Sequence, residues 1–100
     1  MRVISKRRFR QILRKLGFVE NRGRDRIYFE YYFGGKEVVE TKISHGGGQD
    51  ISKRLLSHIL RDQIYLTTRE FEDMLSGRLS AEDYQKLLIE RGIITERKRP

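Results

Sequence analysis

The chain has 100 residues, with 22 Lys or Arg against 14 Asp or Glu, two His, no Cys and a formal net charge of +8. That length suits one small domain with a modest core, and the lack of cysteine excludes a disulfide framework or a thiolate metal site. No apolar run approaches the roughly 18 residues of a membrane span, and the opening MRVISKRRFR has no apolar stretch of the kind a signal peptide needs, so the expected location is the cytoplasm.

The charge is one-sided. Arg2, Lys6, Arg7, Arg8, Arg10, Arg14, Lys15, Arg22, Arg24 and Arg26 face only Glu20 and Asp25 within residues 1–26, so this segment carries the whole +8 and the rest sums to zero. Such loading is the footprint of a polyanion partner. Nucleic acid explains it best, RNA before DNA. An acidic protein or a membrane surface explains it less well, and no membrane partner is expected.

Ser5 reads as the cap of a helix running to about Leu16, with Gly17 as its stop. Phe9, Ile12, Leu13 and Leu16 form its apolar stripe, leaving Lys6, Arg7, Arg10, Arg14 and Lys15 to face phosphate. Phe18-Val19-Glu20 predicts a short strand that leads into a turn at Arg22–Asp25. A second strand, about Arg26 to Phe33, alternates with period two: Ile27, Phe29, Tyr31 and Phe33 form the core row, and Tyr28, Glu30 and Tyr32 point away. Tyr28 is the outward ring that could stack on a base, although cross-strand packing is the commoner use of such a residue. Gly34-Gly35 signals a tight hairpin into a third strand, Lys36 to about Ser44, with Val39, Thr41 and Ile43 on one face.

The loop His45-Gly46-Gly47-Gly48-Gln49 lacks a following Gly-Lys-Ser/Thr, and Ile51 stands where a dinucleotide fingerprint has its third glycine, so it reads as a connector. A helix then opens near Asp50 or Ser52 and runs to about Gln63, with Leu55, Leu56, Ile59 and Leu60 as its stripe and Lys53 and Arg54 on its exposed, cationic side. Thr67-x-x-Glu70 and Ser80-x-x-Asp83 are capping boxes for two more helices, closed by Gly77 and Gly92. Glu70, Glu72, Asp73, Glu82 and Asp83 therefore belong to helix starts rather than to a catalytic pair. Residues 62–90 hold seven acids against three cations, so this C-terminal pair does not extend a phosphate surface. Docking on the domain, homodimerisation and covering an antitoxin's surface stay open as its roles.

The fold expected is α+β: an α-β-β-β-α core with an antiparallel three-stranded sheet over residues 1–66, a helical hairpin over 67–94 packed on it, and a mobile basic tail at 95–100. This order is that of a double-stranded-RNA-binding domain (dsRBD). Residues from about Lys6 to Leu66 also resemble the HicA (YcfA-like) toxin family, through Leu13-x-x-Leu16-Gly17-Phe18, Arg22-Gly23-x-x-Arg26-Ile27-Tyr28, Ile43-Ser44-His45-Gly46 and Leu55-Leu56-x-x-Ile59-Leu60-Arg61. The resemblance implies a dsRBD-like protein of a toxin–antitoxin system that binds messenger RNA, cleaves it without a metal and is silenced by a HicB-like antitoxin.

One departure weakens the implied chemistry. The family's turn carries Gly-Ser-His, and here Gly23-Arg24-Asp25 puts Asp25 in the histidine's place. Removing a 2′-hydroxyl proton near neutral pH suits histidine, with its ordinary pKa of about 6.5, better than a carboxylate near 3.9. His45 is the better substitute base. His58, inside a helix, reads as packing or surface. Two histidines without cysteine or an HExxH pattern make no metal site, and no cofactor is expected. RNA binding with weakened or absent cleavage is the leading expectation; an active endoribonuclease using His45 is the alternative, and a protein-interaction or DNA-binding module the second.

Overall fold

The computed structural model describes residues 3–45 and 48–95. The chain is α+β, with an antiparallel three-stranded sheet and helices packed on one of its faces. In order, β1 (Ile4–Ser5) leads into α1 (Lys6–Leu16); β2 (Val19–Arg22), β3 (Arg26–Phe33) and β4 (Lys36–Ser44) form the sheet in that spatial order; β5 (Asp50–Ile51) precedes α2 (Lys53–His58); α3 (Thr68–Ser76) and α4 (Ala81–Glu90) follow.

α1 begins and ends where its sequence dictates. The Ser5 hydroxyl accepts from the Arg8 N–H at 3.0 Å, and Gly17 adopts φ 108°, so its N–H returns to Arg14 O while Phe18 N–H returns to Leu13 O. A Cβ at such a φ would be strained. The four stripe residues are all buried. Phe18 lies just before β2 rather than in it, and packs in the core.

Register sorts the sheet's two faces. Ile27 pairs with Ile43, Phe29 with Thr41 and Tyr31 with Val39, all buried against the helices. A bulge between Tyr31 and Tyr32 shifts the register, and Phe33 beyond it is only half-buried. On β2, Glu20 pairs with Phe29 and Arg22 with Ile27. Both therefore point to the helix side, at an edge where the core gives way to solvent.

The second helix departs from expectation in three ways. Its chain enters through β5, which pairs antiparallel with β1 (Ile4 to Ile51, Ser5 to Asp50), a ladder too short to show as a period-two pattern. After His58 the helix widens into a π turn, Ile59–Gln63, in which the Ile64 N–H bonds Ile59 O five residues back. Leu55, expected in the apolar stripe, is 47% exposed. At about 100° per residue, Leu56, Ile59 and Leu60 centre the buried arc and Leu55 falls about 90° from that centre, so the expected stripe was one residue too wide.

Tyr65, φ 61°, is the only non-glycine with positive φ among the described residues, and its strained backbone turns the chain into α3. Both capping boxes form: Thr67 with Glu70 and Ser80 with Asp83. Arg91 donates to both Glu70 carboxylate oxygens and to Tyr65 O at 2.6 Å, tying the end of α4 to the start of α3. Phe71, Met74, Tyr84, Leu88 and Ile94 join the same core as α1 and the sheet. No helix among the described residues is long and apolar enough to cross a membrane. Residues 96–100, most of the expected mobile tail, lie outside the described residues.

The hydrogen bond from Arg91, helped by those from Thr67 and opposed by partial burial, holds the Glu70 carboxyl below its ordinary 4.5. A carboxyl lowered on folding contributes stability that is complete above the ordinary value and fades as pH falls through the folded one. Glu70→Gln is thus expected to lower the urea midpoint at pH 7, and the gap from the parent protein is expected to close below about pH 4. A gap that is constant with pH contradicts the assignment.

Candidate nucleic-acid interface

The parity of β2 and the start of α1 together build a cationic notch. Lys6, Arg7, Arg10 and Arg22 line it together with Ser44, His45, Gly48, Gln49, Ile27 and Ile43, around a volume of about 230 Å³. Among the described residues no carboxylate lines it. The Lys6 ammonium donates to Ser44 O and Oγ, both at 3.3 Å, and the Lys6 N–H bonds Gln49 O at 2.8 Å, which fixes the end of β4 against α1.

Not every expected cation points at solvent. The Arg10 guanidinium donates to Glu20 Oε2 at 2.7 Å, and Arg14 Nε lies 3.8 Å from Glu20 Oε1. Glu20 is the counter-ion that α1 itself lacks, supplied from β2; its register opposite Phe29 was the signal for it. Arg10 Nε and Glu20 Oε1 are buried without hydrogen-bond partners among the described residues, so the pair is imperfectly satisfied. Arg10→Ala leaves a carboxylate only 15% exposed with a single distant partner, and is expected to cost about 1–2 kcal/mol in urea unfolding. Arg8 donates to Leu75 O at 3.0 Å and serves the packing of α3.

The turn between β2 and β3 stands beside the notch. The Gly23 N–H bonds Arg26 O at 2.8 Å, and a Cβ on Gly23 would meet the Tyr28 ring at 3.0 Å and Arg26 O at 3.1 Å, so a larger residue there requires its neighbours to shift by a few tenths of an ångström. His45 is clamped across it: its N–H bonds Asp25 O at 3.2 Å and its Nε2 lies 3.0 Å from Gly23 O. A carbonyl only accepts, so Nε2 is the donor in this contact. Asp25 and His45 are thus adjacent through backbone, while the Asp25 side chain is exposed and makes no ion pair with Arg24 or Arg26 among the described residues. Arg24 and Arg26 are exposed on the turn, outside the notch lining.

Four expected residues, Tyr28, Lys53, Arg54 and Lys15, lie elsewhere. Tyr28 is on the sheet's outer face, against Gly23. Lys53 and Arg54 are exposed on α2, where Arg54 borders an open hollow with Leu55, His58 and Arg61. His58 Nδ1 sits 2.9 Å from Asp62, which Arg61 also holds. Lys15 is exposed near the end of α1. Ser44 and Gln49, missing from the expected set, complete the notch; Ser44 lay in a motif already singled out, and only tertiary contact brings in Gln49.

The outer face has the opposite sign. Glu30, Glu37 and Glu40 bring carboxylate oxygens within 4.8 Å of one another. Desolvation and then the neighbouring Glu40 and Glu30 raise the Glu37 carboxyl, and the hydrogen bond from Tyr32 to Glu30 raises the Tyr32 phenol. A polyanion meets repulsion here and attraction on the notch side. Fold and site together define a small α+β domain with one strongly basic face. No protein-family model, curated protein or solved structure matches the chain.

Proposed function

We propose that the chain is a cytoplasmic RNA-binding protein that holds the phosphate backbone with the notch and the adjoining Arg22–Arg26 turn. The observation that carries the reading is the convergence of Lys6, Arg7, Arg10 and Arg22 on one notch that no carboxylate lines among the described residues, opposite a sheet face bearing Glu30, Glu37 and Glu40. The helix, three antiparallel strands and helix of the first 66 residues support a dsRBD-like arrangement, and the resemblance to HicA toxins points the same way. If about four phosphates are engaged, log affinity is expected to fall against log salt with a slope of about −2.8 to −3.6. A flat salt response, or no binding of structured RNA at low salt, overturns the reading.

A second reading, RNA cleavage, is favoured by one observation. His45 is locked with its Nε2–H on Gly23 O, and a neutral ring then offers Nδ1 as a base beside cations able to stabilise a phosphorane-like transition state. In this reading His45→Ala removes cleavage by purified protein and Asp25→Ala does not. Intact RNA after incubation with the parent protein, or equal cleavage by all three, removes it. A HicB-like antitoxin would then be an acidic competitor for the same basic face.

A further inference from the structure

The hydrogen bonds beside the sheet's turns fix which way each backbone group points. In an antiparallel ladder, opposite residues alternate between pairs that exchange hydrogen bonds and pairs that do not. The Gly23 N–H bonds Arg26 O one step beyond the Arg22–Ile27 pair, so Asn21 with Tyr28 and Val19 with Glu30 are bonded pairs too. Ile27, Phe29 and Tyr31 therefore turn their groups towards β4, to Ile43, Thr41 and Val39. The bond from His45 N–H to Asp25 O keeps the same phase. Glu40, Lys42 and Ser44 are left aiming N–H and C=O away from β3, where β4 has no further strand among the described residues. The Lys6 ammonium meets Ser44 O. No backbone bond from another element reaches Glu40 or Lys42 among the described residues.

An open edge is a template for another strand, and charged residues on it commonly guard against that. Here the charges admit one partner. When two β4 strands are laid antiparallel, a pairing centred on Glu40 or on Lys42 sets like charges face to face. One centred on Val39 sets Lys36 against Lys42. Centred on Thr41, the pairing sets Glu40 of each copy opposite Lys42 of the other and Val39 opposite Ile43. The open N–H and C=O groups of Glu40 and Lys42 then bond each other. Opposite charges across a ladder stabilise it and like charges weaken it. Neither Glu40 nor Lys42 is in an ion pair among the described residues, and Glu40 lies instead beside Glu30 and Glu37.

We propose that the β4 edge is an interface with a second copy of this chain, joined antiparallel about a two-fold axis at Thr41 into one continuous sheet. That axis is normal to the sheet, so the patch is self-complementary and closes as a dimer. Ile27 and Ile43 line the notch on the helix side, so both notches stand on one side of the dimer and both acidic faces on the other. The interface goes beyond the RNA-binding reading and stands without it.

Sedimentation velocity on RNA-free protein at fixed salt tests it. The parent protein is expected to pass from monomer to dimer as its concentration rises. Glu40→Lys and Lys42→Glu each set like charges opposite one another twice, and each alone is expected to weaken association at least about tenfold. Both side chains are exposed, so circular dichroism is expected to match the parent. Mixed in equal amounts, the two variants are expected to form a heterodimer, because every opposing pair is then one acid and one base. A parent protein still monomeric at about 1 mM, the weakest association of interest, overturns the second copy as the occupant. Single variants that dimerise as the parent does, or a mixture that stays monomeric, overturn the pairing at Thr41.

Discussion

Charge reversal at Arg7, Arg22 and Arg24 is expected to lower RNA affinity by about a thousandfold near 0.15 M salt, since each charge-assisted hydrogen bond is worth about 1.5–3 kcal/mol and each 1.4 kcal/mol is tenfold. The salt slope is expected to become shallower by about one for each phosphate partner removed. All three side chains are exposed and none takes part in an ion pair among the described residues, so circular dichroism and the urea midpoint should match the parent protein. Arg10 and Arg14 are unsuitable for this purpose despite lying on the same helix. Arg10→Glu would set a carboxylate against Glu20, and weakened binding could not then be separated from a disturbed fold. Affinity within about threefold of the parent, well under the worth of one such hydrogen bond, contradicts the basic face as the binding surface.

The second large effect concerns stability. Tyr84 is fully buried on α4; its ring meets Tyr31 edge-on at 5.3 Å and Phe18 at 5.8 Å, and its hydroxyl donates to Ile64 O at 3.0 Å. Burial pushes the phenol far above its ordinary value, so it remains a donor throughout the usual pH range. Tyr84→Ala removes a ring that closes the sheet, the π turn and α4 together, and is expected to cost about 3–5 kcal/mol. For a domain of this size that is a fall in Tm of roughly 15–30 °C. Tyr84→Phe keeps the ring and strands the Ile64 carbonyl, for about 1–3 kcal/mol. If Tyr84→Ala costs less than about 1 kcal/mol, too little for a buried ring, α4 is not part of the core. The parent protein should unfold in one step, because α3 and α4 share their packing with Phe9, Phe18 and Tyr31.

What could be read beforehand was local. The Ser5 cap, the Gly17 stop, the β3 and β4 rows and both capping boxes depend on neighbours within a few residues, and periodicity with turn chemistry finds them. What escaped depends on residues distant in sequence. The β1–β5 ladder joins residues more than forty apart through two pairs, and the π turn exists because an extra residue per turn lets Ile59, Leu60 and Ile64 all reach the core. Leu55 was misplaced because four apolar residues in six suggest a wider stripe than this helix buries.

The site followed the same division. Charge segregation pointed to residues 1–26, and the structure brings Lys6, Arg7, Arg10 and Arg22 of that segment to one notch. The charge pattern could not show that Glu20 claims Arg10 and part of Arg14, that Arg22 lies on the helix side of the sheet through its pairing with Ile27, or that His45 is clamped over Gly23. Strand parity across the turn held the first two; the third required the end of β4 to reach the β2–β3 turn.

The most direct test of the binding surface is an amide chemical-shift titration of the parent protein with a structured RNA. Shifts are expected at Arg7, Arg22, Gly23, Arg24 and His45, with Glu30, Glu37 and Glu40 unmoved. Shifts confined to the outer face, or a spectrum unchanged at saturating RNA, contradict the account.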